Sequence, residues 1–209
     1  VTIEVSSVLS QNITLLFDSL DLKTIDGSKL KSLVGDKGIL MDTPEMIVAA
    51  DPITSLIIQL GDNRTRITLQ QEGKEMGDFP LWRIARDCRK LARQSQLTAY
   101  GFNYDLGAII TEGNAQTVTL DIFVPNKRQF EDVLGARFVS FIPRLRFKRG
   151  ETLYDLVLEP LDERRIRAHL NAHFEVHALP PLGQLRDSFR QELSYLIEIF
   201  PKLFQGGNS

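Results

Sequence analysis

Apolar side chains recur along this chain with two different periods, and the switch between them marks its elements. Between residues 165 and 179 the alternation is strict. Ile166, Ala168, Leu170, Ala172, Phe174, Val176 and Ala178 alternate with Arg165, Arg167, His169, Asn171, His173, Glu175 and His177. A period of two puts successive side chains on opposite faces of a strand but walks around a helix, so the segment reads as a strand with one covered face. Upstream, 137–148 places Val139, Phe141, Pro143, Leu145 and Phe147 on one face and Arg144, Arg146 and Lys148 on the other. Residues 152–159 set Tyr154, Leu156 and Leu158 against Asp155 and Glu159. Only Arg149-Gly150 and Pro160–Glu163 separate these runs, and connections that short imply an antiparallel meander.

A helical period appears twice. Leu81, Ile84, Ala85, Cys88, Leu91 and Ala92 form one stripe over 79–96, and Pro80 suits a first turn. Leu185, Phe189, Leu193, Leu196 and Phe200 do the same over 182–200, with Pro180-Pro181 before them and Pro201 as the expected stop. Residues 2–9, 12–17, 46–50, 54–60 and 64–70 read as strands, the last two as a hairpin turning at Gly61-Asp62-Asn63. A short helix is expected over 28–34 and another over 126–134, stopped by Gly135, with strands at 97–104 and 117–124.

The expected fold is therefore α+β. A long antiparallel meander at about 137–179 is packed by helices 79–96 and 182–200, beside a β-rich N-terminal part. The polar stretch 71–78, with Gly73 and Gly77, separates a 1–78 subdomain from a 79–209 subdomain, unless the two join in one continuous domain. Gln205–Ser209 is expected to fray.

Composition narrows the chemistry. Hydrophobic residues make up 43% and charged residues 25%, which fits a globular chain with a core. Cys88 is the only cysteine, so an internal disulfide and a cysteine-based zinc site are excluded. It falls on the apolar helix stripe, where a thiol acts as a small hydrophobe. No apolar run approaches the ~20 residues of a membrane span, and residues 1–10 lack the pattern of a signal peptide. The expected setting is the cytoplasm, without a membrane partner. Neither a phosphate-cradling glycine loop nor a Gly-x-Ser-x-Gly elbow is present, so no cofactor, metal or catalytic residue is assigned.

Charge distribution supplies the candidate sites. The net charge of −2 is unevenly spread, with −5 over residues 1–78, +4 over residues 79–96 and −1 over the rest. Arg86, Arg89, Lys90 and Arg93 lie opposite the apolar stripe of their helix, in the manner of a phosphate-neutralising patch. Arg144, Arg146, Lys148, Arg165 and Arg167 flank Asp155 and Glu159, and cross-strand pairing accounts for most of them. A basic surplus there would hold an anionic partner. The three histidines, His169, His173 and His177, are spaced by four. On a strand consecutive members sit ~13 Å apart, too far to share one metal whose ligands lie ~2 Å from it. An enzymatic reading needs one of them to meet carboxylates in a pocket. On the last helix Tyr195, Ile199, Leu203 and Phe204 crowd beyond the core stripe, which points to a second subunit.

The leading expectation is a non-enzymatic binding or assembly protein that forms a homo-oligomer or takes a protein partner. The alternatives are a nucleic-acid-binding protein using the basic helix and basic strands, and a metal-dependent hydrolase using the histidine-bearing strand.

Overall fold

The computed structural model describes residues 1–61, 63, 65–73 and 79–205. Its strands are β1 (Ile3–Phe17), β2 (Ile39–Asp42), β3 (Ile47–Asp51), β4 (Leu56–Gly61), β5 (Arg66–Glu72), β6 (Leu97–Ile110), β7 (Arg144–Arg149), β8 (Thr152–Pro160) and β9 (Arg165–Phe174). All nine join one antiparallel sheet in the order β2-β3-β4-β5-β1-β6-β9-β8-β7. The helices are α1 (Gly27–Leu33), α2 (Leu81–Leu91), α3 (Ala115–Phe123), α4 (Lys127–Leu134) and α5 (Leu182–Lys202). The α+β class, the meander of β7, β8 and β9, and its cover by α5 agree with the expectation. Among the described residues no helix is long and apolar enough to cross a membrane.

One face of the sheet is apolar, and the helices pack on it. Ile13, Leu15, Ile58, Leu69, Phe102, Leu106, Leu156, Ile166 and Leu170 are fully enclosed, in one cluster with Leu30, Leu81, Ala85, Leu185, Phe189 and Leu196. Burying each such Leu, Ile or Phe is worth roughly 1.5–3 kcal/mol, so this seam is the main cohesive force. The buried Tyr104 hydroxyl donates to the Phe189 carbonyl of α5 at 2.6 Å, which meets the one polar need of that ring.

β1 pairs with β5 on one side and β6 on the other, so strands from both sides of residue 78 share one ladder. Residues 74–78 of the expected boundary lie outside the described residues. So do Asp62 and Arg64 at the expected β4–β5 turn, and 206–209 of the tail.

Four expectations are corrected. The strands expected at 2–9 and 12–17 are a single strand, interrupted by register shifts between Val5 and Ser7 and between Val8 and Ser10. Such bulges insert a residue and break the period without ending the strand. The strand expected at 117–124 is helix α3. The Asn114 side chain accepts from the Gln116 and Thr117 N–H groups, and Ala115, Val118, Thr119 and Ile122 share the inward side. That cap outweighs the β-branched run. The strand expected from Arg137 begins only at Arg144, because Pro143 has no N–H to continue the ladder beyond its carbonyl bond from Leu158. The alternation up to Ala178 outlasts its strand, which ends at Phe174 and leaves Val176 and Ala178 exposed. The short edge strand β2 had no expectation at all.

Leu170→Asp places an unpaired carboxylate inside this seam and is expected to cost at least ~3 kcal/mol. Val176→Asp, outside it, is expected to change stability by no more than ~0.5 kcal/mol. Urea titrations of the two variants measure both. Equal losses would show that the enclosed face is not where the alternation puts it.

Candidate functional site

Helices cover only one face of the sheet, so the other remains polar and accessible. The register brings Asn12, Asn103 and Asn171 of β1, β6 and β9 into one cross-strand row. Asn103 Nδ2 donates to Asn12 Oδ1 at 3.0 Å, Asn171 Nδ2 donates to Asn103 Oδ1 at 2.5 Å, and the Thr14 hydroxyl donates to Asn12 Oδ1 at 2.8 Å. The next row holds Ser10, Asp105 and His169. Ser10 Oγ donates to Asp105 Oδ2 at 2.6 Å, and His169 Nδ1 lies 3.0 Å from Asp105 Oδ1. Burial pushes the Asp105 carboxyl up, but the hydrogen bonds from His169 and Ser10 and the nearby Arg167 charge outweigh it and hold the group below its ordinary range. The serine proton goes to the carboxylate and not to the imidazole, so this row lacks the nucleophile-to-base contact of hydrolytic triads.

The histidines occupy separate surroundings. His169 is engaged with Asp105. His173 stands opposite Gly101 and Leu153 on β6 and β8. His177 lies past the end of β9, its Nδ1 3.4 Å from the Leu97 carbonyl oxygen. Among the described residues no three His, Cys, Asp or Glu side chains are grouped to hold a metal.

Each of the five basic strand residues has a carboxylate beside it. Arg144 and Arg146 both meet Asp155, at 2.5 and 3.1 Å, Lys148 meets Glu151 at 3.2 Å, Arg165 meets Asp162 at 2.5 Å, and Arg167 meets Glu159. The Arg144 guanidinium leads in holding Asp155 below its usual value. The local charge is largely cancelled on this face.

On α2 the basic residues divide. Arg89 donates to the Ala92 carbonyl at 2.8 Å and lies over the Phe17 ring, and Lys90 pairs with Asp87 at 2.6 Å. The side chains of Arg86 and Arg93 are exposed and have no hydrogen bond or ion pair among the described residues. Arg83 extends their row by one turn towards the helix start, a position that three-residue spacing from Arg86 already signalled.

The crowded end of α5 is largely accommodated within the chain. Phe204 is enclosed against Phe200 and Phe123, at ring separations of 5.9 and 5.7 Å. The Tyr195 ring carries the Arg149 guanidinium at 4.1 Å. Ile199 and Leu203 are half-buried against the core. Beside them, the enclosed Glu192 accepts from the Tyr154 hydroxyl at 2.9 Å and from Arg149 at 3.3 Å. Burial pushes the Glu192 carboxyl above its ordinary value, and burial with the Glu192 charge pushes the Tyr154 hydroxyl up to about 12.

An unforeseen feature is the arm formed by α4 and the segment to Pro143. α4 has no buried residue. Phe130, Val133 and Leu134 are 51%, 82% and 64% exposed, and Val139 and Ile142 add 82% and 52%. The arm is ordered by its own contacts. Gly135 closes α4 in the left-handed conformation at φ 61, Glu131 accepts from the Phe138 N–H at 3.0 Å, and Phe130 meets Phe138 edge-on at 6.2 Å. The signal was the i, i+3, i+4 spacing of Phe130, Val133 and Leu134, within the short helix expected over 126–134.

A carboxyl whose pKa is raised on folding favours the native state when protonated. Glu192 therefore contributes most below its unfolded value near 4.5, and that contribution is lost as pH rises through its higher folded value. Glu192→Gln keeps an acceptor for Tyr154 and removes the ionisation. Denaturation between about pH 4 and 7 is expected to show a smaller loss of stability in the variant than in the parent chain. Parallel profiles would mean that Glu192 does not titrate with folding.

No family model matches this chain, and neither does any curated protein. Among solved structures, Methanococcus jannaschii TBP is similar with a TM-score of 0.34 and 7% identity, over 98% of this chain and 99% of that one. A likeness of that size carries no conclusion about this chain's activity or partners.

Proposed function

We propose that this chain is a non-enzymatic assembly protein that joins a second copy of itself through the α4 arm. The observation that carries this reading is the exposed apolar stripe of Phe130, Val133 and Leu134, followed in the chain by exposed Val139 and Ile142, on a helix with no buried residue. A helix stripe of this spacing normally faces a core. Contiguous apolar surface of this kind marks protein interaction sites. Covering each side chain is worth roughly 1.5–3 kcal/mol at most, so a two-fold contact that covers the patch with its own copy gains twice from one surface. Simple edge pairing of β7 is disfavoured, since Arg144, Arg146, Lys148 and Arg149 line that strand and like charges protect an edge.

Sedimentation velocity of the parent chain at micromolar concentration is expected to give a dimer or larger species. Val133→Asp with Leu134→Asp is expected to give a monomer with unchanged circular dichroism, because neither residue supports the core. Ile199→Asp is the contrasting variant, placed on the half-buried side of α5. A monomeric parent chain would end the self-association reading. Dissociation by Ile199→Asp alone would move the interface to α5.

A second reading, nucleic-acid binding, is favoured by the exposed Arg83, Arg86 and Arg93 on α2. It requires binding that weakens steeply with salt.

A further inference from the structure

A cleft of about 360 Å³ opens where the first turns of α2 and α5 meet. Trp82 and Arg83 border it from α2, and Leu182, Gly183, Arg186 and Arg190 from α5. Among the described residues on its walls, the charged ones are these three arginines. The Arg83 side chain is exposed and has no hydrogen bond or ion pair among the described residues. Arg186 is exposed, and among the described residues its side chain engages only its sequence neighbour Asp187, at 2.8 Å. Arg190 lies over the Trp82 indole at 5.3 Å, so cation and ring form one wall.

Gly183 is the second observation. Its backbone is not in the left-handed region, and a Cβ built there meets nothing within 4 Å. The fold therefore does not require glycine at this point, and glycine disfavours a helix relative to alanine. Its effect is to leave the α5 side of the cleft open beside the arginines. Neither helix has a side-chain cap, since Pro80 and Pro181 precede them, so their positive ends add to the same potential.

We propose that this cleft binds the phosphate group of a small phosphate monoester. Guanidinium forks match phosphate oxygens two at a time, and two such forks, carried by different helices, border the same cleft as the indole. The volume lies in the range of small-molecule sites. A polynucleotide is the weaker fit, because Lys90 is paired with Asp87 and Arg89 is turned to the Ala92 carbonyl along the same helix. This site is separate from the α4 arm and does not depend on self-association.

Trp82 is the only tryptophan, so its fluorescence reports on the cleft directly. The experiment titrates inorganic phosphate and glycerol 3-phosphate into the full chain at fixed ionic strength, with chloride as control. A saturable change with both phosphates is expected, tighter for the monoester. Arg83→Gln with Arg186→Gln is expected to weaken binding at least about tenfold, with unchanged circular dichroism. Gly183→Leu is expected to weaken it as well, at an unchanged or higher melting temperature, and this variant decides the matter if the double variant does not fold. The proposal is overturned by no saturation up to about 10 mM, by an equal response to chloride, or by unchanged binding in Gly183→Leu. It is equally overturned if a single-stranded oligonucleotide binds with strong salt dependence and glycerol 3-phosphate does not displace it.

Discussion

β1 is hydrogen-bonded along both edges, and the rest of the molecule is arranged around that fact. Without its ladder to β5, strands β2 to β5 would be a sheet of their own; without its ladder to β6, so would β6 to β9. The strand can serve both because it is fifteen residues long and shifts register twice near its start. Its inward residues Ile13, Leu15 and Phe17 lie in the seam under α2 and α5. Backbone pairing in the plane of the sheet and apolar burial perpendicular to it are thus concentrated on the same residues.

The two faces of the sheet obey different physics. On the covered face, enclosed polar groups are few and each has a partner: Tyr104 finds the Phe189 carbonyl, and Glu192 finds Tyr154 and Arg149. An unpartnered group there would cost more than a hydrogen bond returns. On the accessible face, the Asn12–Asn103–Asn171 row and the Ser10–Asp105–His169 row satisfy one another laterally. They hold the surface polar without needing a ligand. The apolar demand of the helices is met inside the chain for α2 and α5. It is unmet for α4, which is why the proposed self-association is placed on the arm rather than on the last helix.

The sequence showed the meander and the two long helices because each had a sustained period and clear punctuation. The strict alternation around Leu170 and the stripe around Phe189 read directly as the two sides of the core. The failures have local causes. Bulges near Ser6 and Leu9 disguised one strand as two, and the cap at Asn114 turned a β-branched run into a helix. Pro143 delayed the start of β7. The candidate residues were less legible than the fold, because their meaning depends on neighbours from distant segments. Nothing near Arg167 in sequence foretells Glu159 across the strand pair more strongly than it does a phosphate. Phe204 reads as surplus until α3 is known to lie beside it. Gly183 reads as an ordinary helix residue until Arg83 is brought across from α2.

The amide row across the centre of the sheet also sets an order in time. Asn12 and Asn103 are 91 residues apart, and Asn171 follows Asn103 by another 68. At ordinary rates of synthesis the ribosome needs on the order of ten seconds to deliver β6 after β1 has emerged. Over that interval β5 can occupy one edge of β1, and the other waits open. Ser10, Asn12 and Thr14 keep one face of the waiting strand hydrophilic while its backbone is still unpaired. The residues that later knit the middle of the sheet thus give the nascent strand one polar face before its second edge is paired.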